Sequence, residues 1–183
     1  MREVDKRTHV RRRSFLRGGV AAAPAAALAA AGTAISPEAA WASDARNLQP
    51  NTLATLVKAA RDIFPHDRFS DPLYITAIVP YDEQAGSNAA LRSLMEDGVG
   101  ALDTESRRRF GRPYLAVGME DQRVEVLKAL EDTPFFKKLR GDLVVSLYNQ
   151  KEVWSKLGYE GSSFEHGGYL ERGFNDIDWL PET

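Results

Sequence analysis

Residues 51–64 read NTLATLVKAARDIF. Leu53, Leu56, Val57, Ala60, Ile63 and Phe64 recur at spacings of three and four, which places them on one face of a helix. Pro65 lacks an N–H and clashes with the preceding turn, so it ends that helix. The same pattern repeats along the chain. Asp71-Pro72 reads as a start, a capping carboxylate ahead of a proline at the first helical position. Tyr74, Ile75, Ile78 and Val79 give that segment an apolar face, and Pro80 marks an end or a kink. Ser87 to Leu102 forms a third segment, with Leu91, Leu94, Met95, Val99 and Leu102 inward. Glu120 to Leu130 forms a fourth, burying Val124, Leu127 and Leu130. Thr133-Pro134 caps a fifth, which runs to about Leu157 through Phe136, Leu139, Leu143, Leu147 and Trp154. Gly158 closes it as a C-terminal cap.

Between these segments, residues 107–113 (RRRFGRP) read as a basic connector: solvated, or matched to an acidic partner surface. No strand–turn–helix unit and no internal repeat is present. The predicted fold is therefore all-α, a small bundle of about five helices with an irregular, aromatic and glycine-rich C-terminal tail. Residues 1–42 read as a targeting segment and residues 43–157 as the helical domain. Residues 158–183 form the tail, which packs on the bundle or on a partner.

Composition narrows the function. At 183 residues, 43% hydrophobic and 27% charged, the chain suits one domain with a modest core. Seven of the 24 Lys and Arg but three of the 26 Asp and Glu fall in residues 1–42. The remainder thus carries 17 basic against 23 acidic residues, a net charge of −6. That balance argues against nucleic-acid binding, which needs a positive field. The absence of cysteine excludes disulfides, thiolate zinc sites, iron–sulfur clusters and haem attached through C-x-x-C-H.

The first forty residues read as an address. Arg12-Arg13-Ser14-Phe15-Leu16-Arg17 looks like a twin-arginine export signal, with Arg12, Arg13, Phe15 and Leu16 in its key positions. Arg11 stands where the pattern more often has Ser or Thr. Residues 18–35, GGVAAAPAAALAAAGTAI, are weakly apolar, broken by Pro24, and short of the roughly 20 strongly apolar residues a membrane span needs. Ala40-Trp41-Ala42 fits a small-x-small cleavage site, which predicts a mature start at Ser43. A cut after Ala31 is the alternative. The destination is the bacterial periplasm, and the pathway that this signal class serves carries folded proteins.

Motifs for chemistry are sparse. No G-x-G-x-x-G follows a strand and no P-loop is present. Gly167, Gly168 and Gly173 precede no helix that could cradle an anion. His66 lies just past a helix end, where an imidazole can bond the last carbonyls. His166, with Asp176 and Asp178, offers an oxygen/nitrogen set for a metal. A free-standing periplasmic metal-dependent enzyme or binding protein using His66, His166, Asp176 and Asp178 is thus the alternative reading. The carboxylate pairs Glu96-Asp97, Glu120-Asp121 and Glu131-Asp132 read as solvated surface. In the tail, Trp154, Tyr159, Phe164, Tyr169, Phe174 and Trp179 recur every five residues, neither a helix nor a strand period. Glycine precedes Tyr159, Tyr169 and Phe174, so the tail reads as a ribbon of bends, each delivering one ring. These six rings pack on their own helices or anchor a partner.

Together these residues resemble the gluconate 2-dehydrogenase subunit 3 family, small subunits of flavin-dependent sugar and polyol dehydrogenases. The resemblance covers roughly residues 10 to 180. It rests on the twin-arginine signal, Ile63-Phe64-Pro65-His66-Asp67 and Asp71-Pro72-Leu73-Tyr74. In the tail it rests on Trp154, Leu157-Gly158-Tyr159-x-Gly161, Gly167-Gly168-Tyr169, and Gly173-Phe174 before Trp179. It implies a non-catalytic accessory subunit with no cofactor of its own. FAD and the active site belong to a large partner subunit of the glucose–methanol–choline type, and a cytochrome c subunit with haem c can take the electrons. The small subunit supports the large one's maturation and brings both to the twin-arginine (Tat) translocase. Contact with the membrane is then indirect, through the complex.

Overall fold

The computed structural model describes residues 37–170. Proline sets the start of three helices there: α1 (Pro50–Ile63), α2 (Asp71–Ala85, with Pro72 in its first turn) and α5 (Pro134–Ser146). Its fixed φ suits the first turn, where its missing N–H has no partner to lose. Side-chain caps begin two helices. Asn88 Oδ1 accepts the Leu91 amide at 3.0 Å ahead of α3 (Ala89–Phe110). Thr133 Oγ1 accepts the Phe136 amide at 3.2 Å ahead of α5. Glu120 and Asp121 sit in the first turn of α4 (Glu120–Ala129), where negative charge meets the positive end of the helix dipole. Among the described residues the last α-helix is α6 (Lys151–Leu157). Short 3-10 helices cover Pro37–Asp44, Tyr114–Ala116 and Ser163–His166. The described residues are all-α, without a strand.

Two boundaries differ from the sequence-based expectation, and a third, left open between an end and a kink at Pro80, is decided, each for a physical reason. The third helix does not stop at Leu102 but continues to Phe110, so Arg107–Arg109 form its last turn rather than a connector. Cations favour that end of a helix, and Glu105 binds both Arg108 (2.6 Å) and Arg109 (2.5 Å). Those bonds, to Arg108 and then Arg109, pull the Glu105 carboxyl down to about 2. The stop is Gly111, at φ 71°. The second helix passes through Pro80: Ala77, Ile78, Tyr81, Asp82 and Ala85 are buried on either side of it while Pro80 stays exposed. Packing of that face outweighs the roughly 3 kcal/mol an interior proline costs. The expected fifth helix is two, so the described residues form six α-helices. The break at residues 147–150 is held by Gln150, whose Nε2 donates to the Leu73 and Ser146 carbonyls, each at 2.9 Å. The helical unit also begins earlier than expected, at Pro37.

The core lies around α1, which packs against α2, α3, α4 and α5. Leu53, Leu56 and Ala60 are buried as the periodicity implies, while Val57, Ile63 and Phe64 are half-buried. Because neighbours flank α1 on several sides, its buried face widens to take in Thr52, Thr55, Ala59 and Asp62. Two later helices bury a near neighbour of one expected residue while keeping the rest of the expected face. Val126 is buried in place of Val124, and Phe135 in place of Phe136. Phe135 lies so close to α3 that a Cβ at Gly98 would sit 2.1 Å from its ring.

Asp62 is buried against Arg123. The guanidinium grips the carboxylate with two bonds, Nε to Oδ2 at 2.7 Å and Nη2 to Oδ1 at 2.8 Å. Its Nη1 donates to the carbonyls of Val117 (2.9 Å) and Gly118 (3.1 Å). Tyr114, fully buried, donates its hydroxyl to Asp62 Oδ2 at 2.7 Å, and its own amide donates to Asp103 Oδ1 at 2.9 Å. Burial first, then the Asp62 charge, pushes the Tyr114 hydroxyl far above its ordinary pKa, so it remains a donor.

Removing one member of a buried ion pair strands the other, at about 3–5 kcal/mol. Arg123→Ala is therefore expected to lower the unfolding free energy by that amount in urea denaturation. Arg123→Lys recovers only part of it, since an ammonium cannot reproduce the two-pronged grip. Gly98→Ala is expected to cost about 1–3 kcal/mol by overpacking. A loss in Gly98→Ala/Phe135→Leu smaller than the sum of the single losses, in the same assay, would identify the ring as the clash.

Candidate interaction surface

Gly158 caps α6 at φ 77°, and Gly161 (106°), Gly167 (83°) and Gly168 (78°) turn the chain after it. Side-chain-bearing residues rarely adopt this conformation, which is why these bends fall on glycine. The rings carried on this ribbon differ in support. Trp154 is half-buried, and its Nε1 donates to the Tyr148 carbonyl at 2.8 Å. Tyr159 meets it edge-on, with ring centres 5.4 Å apart, and is 54% exposed. Phe164 (89%) and Tyr169 (69%) stand in solvent, as do Leu157 (53%) and Leu170 (87%). Phe174 and Trp179 lie outside the described residues, as do Asp176 and Asp178.

His66 does not bond the end of α1 as expected. The Phe64 carbonyl is taken by the Tyr74 hydroxyl at 2.6 Å. His66 Nε2 instead meets the Tyr148 hydroxyl at 2.7 Å, and its ring lies 4.2 Å from that of Phe69. Tyr148 also meets Phe64 edge-on at 5.6 Å. Phe69 is buried, although nothing in the helix periodicity marks a loop residue as core. This loop and the end of α6 enclose an open cleft of about 650 Å³, with His66, Arg68, Phe69, Lys156 and Leu157 on its walls. His166 is exposed, with Nε2 3.4 Å from the Glu160 carbonyl. Among the described residues no group of three or more His, Asp or Glu is placed to hold a metal.

A second cleft of about 370 Å³ lies between α2 and α5. Tyr81 donates its hydroxyl to Asp142 Oδ2 at 2.7 Å, and Lys138 Nζ reaches the same oxygen at 2.9 Å. Burial first, then Asp142, raises the Tyr81 hydroxyl far above its usual range. That direction keeps it protonated, opposite to what a nucleophile or general base requires.

The export-signal residues Arg12, Arg13, Phe15 and Leu16 lie outside the described residues. Ala40, Ala42 and Ser43, from the expected cleavage motif, fall in the 3-10 helix Pro37–Asp44, where Ala42 is fully buried and Ser43 exposed. Among the described residues no helix is long and apolar enough to cross a membrane. Comparison with known proteins returns no match: no family model fits the chain, and no curated protein or solved structure is found similar to it.

The difference in ring support has a measurable consequence. Phe164→Ser/Tyr169→Ser is expected to change stability by no more than about 0.5 kcal/mol, as exposed substitutions do. Trp154→Ala loses a hydrogen bond and an edge-on ring contact, together about 2 kcal/mol. Urea denaturation of the two variants checks the contrast.

Proposed function

We propose that this chain is a non-catalytic accessory subunit of a periplasmic FAD-dependent dehydrogenase complex, of the gluconate 2-dehydrogenase subunit 3 kind. It binds a flavin-loaded large subunit of the glucose–methanol–choline type in the cytoplasm and takes it through the twin-arginine translocase as a joint complex. The observation that carries this reading is the exposed apolar ribbon of Leu157, Tyr159, Phe164, Tyr169 and Leu170, each more than half exposed. Large apolar side chains left in water forgo roughly 25 cal/mol per Å² of burial, and a protein surface that covers them recovers it. Aromatic rings are the preferred anchors of such contacts. The N-terminal signal supplies the route, and the chemistry resides on the partner.

Two variants test it when the large subunit is co-expressed. Arg12→Lys/Arg13→Lys is expected to leave both proteins in the cytoplasm on cell fractionation. Export of the large subunit in that double variant would sink the proposal. Phe164→Ala/Tyr169→Ala is expected to weaken co-purification of the flavoprotein by about tenfold or more, as loss of hot-spot residues does, with the fold of this chain intact.

A further inference from the structure

The motif Ala40-Trp41-Ala42, expected to mark the processing point, lies inside the folded domain. The compact unit that holds the described residues begins at Pro37. Its first element, the 3-10 helix Pro37–Asp44, packs on α1. Ala42 has no exposed surface, and its carbonyl accepts the Ala45 amide at 3.1 Å. Trp41 is half-buried.

The chain just beyond is clamped by Asp82 of α2. Its carboxylate accepts the amides of Arg46 (3.0 Å), Asn47 (2.9 Å) and Leu48 (2.7 Å), and Asn47 Nδ2 donates to the Asp82 carbonyl at 2.8 Å. Burial alone would raise the Asp82 carboxyl, but these amide donors outweigh it and hold it below its ordinary pKa. The clamp is thus ionised at neutral pH. Leu48 is buried beside it.

A signal peptidase reads small side chains one and three residues ahead of the bond it cuts. Two residues apart point to the same side only when the chain is extended. In a helix they diverge. Hydrolysis adds water to the Ala42 carbonyl, breaks its bond to the Ser43 nitrogen and leaves a carboxylate and a free amine. Reaching that carbonyl requires pulling Ala42 out of the core, opening its bond to Ala45 and straightening the 3-10 helix.

We propose that the Ala42–Ser43 bond is not the processing point, that Pro37–Asp44 stays in the mature protein, and that the cut falls ahead of Pro37. Ala29-Ala30-Ala31 offers the same small-x-small pattern there, before Gly32. The inference rests on the export reading, in which the domain folds before it crosses. Retention of Pro37–Asp44 also keeps the cover that this segment provides over α1.

Two measurements test it. In the first, the protein is purified from the periplasm and its N-terminus sequenced. A start at Gly32, or elsewhere ahead of Pro37, is expected, and a start at Ser43 overturns the inference. If no periplasmic protein is found, it is the export reading that fails. The second measurement then decides the inference without export. Folded full-length chain is incubated with purified signal peptidase in detergent micelles, and the products are read by mass. Cleavage ahead of Pro37 with less than a tenth of product starting at Ser43 is expected. A predominant Ser43 product overturns the inference. Asp82→Ala, which releases Arg46–Leu48, is expected to raise the Ser43 product at least about tenfold, since cleavage follows the population of the opened state. No increase in that variant would mean that burial is not what protects the bond.

Discussion

The Asp62–Arg123 pair is the constraint on which the rest of the bundle depends. It joins the end of α1 to the start of α4. Through Tyr114 it fixes the segment between α3 and α4, which Asp103 and the Ser106 bond to the Arg112 carbonyl (2.8 Å) tie from the other side. Two charges in a dry site are tolerable only when each is paired and fully hydrogen-bonded. Here the guanidinium spends all three nitrogens on Asp62 and on the carbonyls of Val117 and Gly118. Those carbonyls belong to a non-helical connection that would otherwise have no place inside a bundle. One arginine therefore solves two problems, neutralising a buried carboxylate and satisfying the loop that crosses it. Asp62–Arg123 pairing raises the guanidinium's already high pKa further, so the charge is permanent.

The helices were legible in the sequence because apolar spacing and proline punctuation are local signals. The polar core was less so. A carboxylate in a run such as Arg61-Asp62-Ile63 reads as solvated, yet Asp62 continues the buried series Thr52, Thr55, Ala59 at spacings of three and four. Arg123 similarly stands three and four residues ahead of Val126 and Leu127. Arg123 thus stands on an apolar series, whereas Asp62 follows two threonines and an alanine and carries no such mark. That the two meet was not legible, because they are 61 positions apart. The extra turns of α3 escaped notice for a different reason. Residues 103–109 are largely charged and lack an apolar stripe, and their helix is held by ion pairs within it.

At the C-terminal end the sequence indicated where the chain turns but not what its rings touch. Gly158 caps α6 as the sequence implied, and Gly161, Gly167 and Gly168, also left-handed, turn the chain between the rings that follow. Whether a ring finds a wall depends on which surfaces the bundle leaves nearby, which is a tertiary property. Trp154 finds the Tyr148 carbonyl. Phe164 and Tyr169 find nothing comparable within the described residues and remain exposed. The role of Tyr74 at the end of α1 was equally invisible: its hydroxyl bonds the Phe64 carbonyl from the next helix, while His66 meets Tyr148.

Tyr148 connects these two regions. Its hydroxyl meets His66 in the α1–α2 loop, and its carbonyl holds Trp154 at the base of the ribbon. It sits in the break between α5 and α6, the break that a continuous fifth helix would have erased. With Leu147 fully buried on one side and Val153 on the other, the break is anchored in the core rather than frayed. A helix running straight through would carry Trp154 onward along the α5 axis, away from the α1–α2 loop. Breaking it lets α6 turn back toward the His66–Phe69 loop, so that the two enclose the larger cleft and the ribbon leaves from its rim. The ribbon thus leaves from a base at which Trp154 is bonded to the Tyr148 carbonyl and Tyr148 in turn meets His66. A ring that is already packed loses less conformational freedom on association than one standing in solvent, so Trp154 and Tyr159, edge-on to each other, are the pre-ordered members of the series and Phe164 and Tyr169 are not.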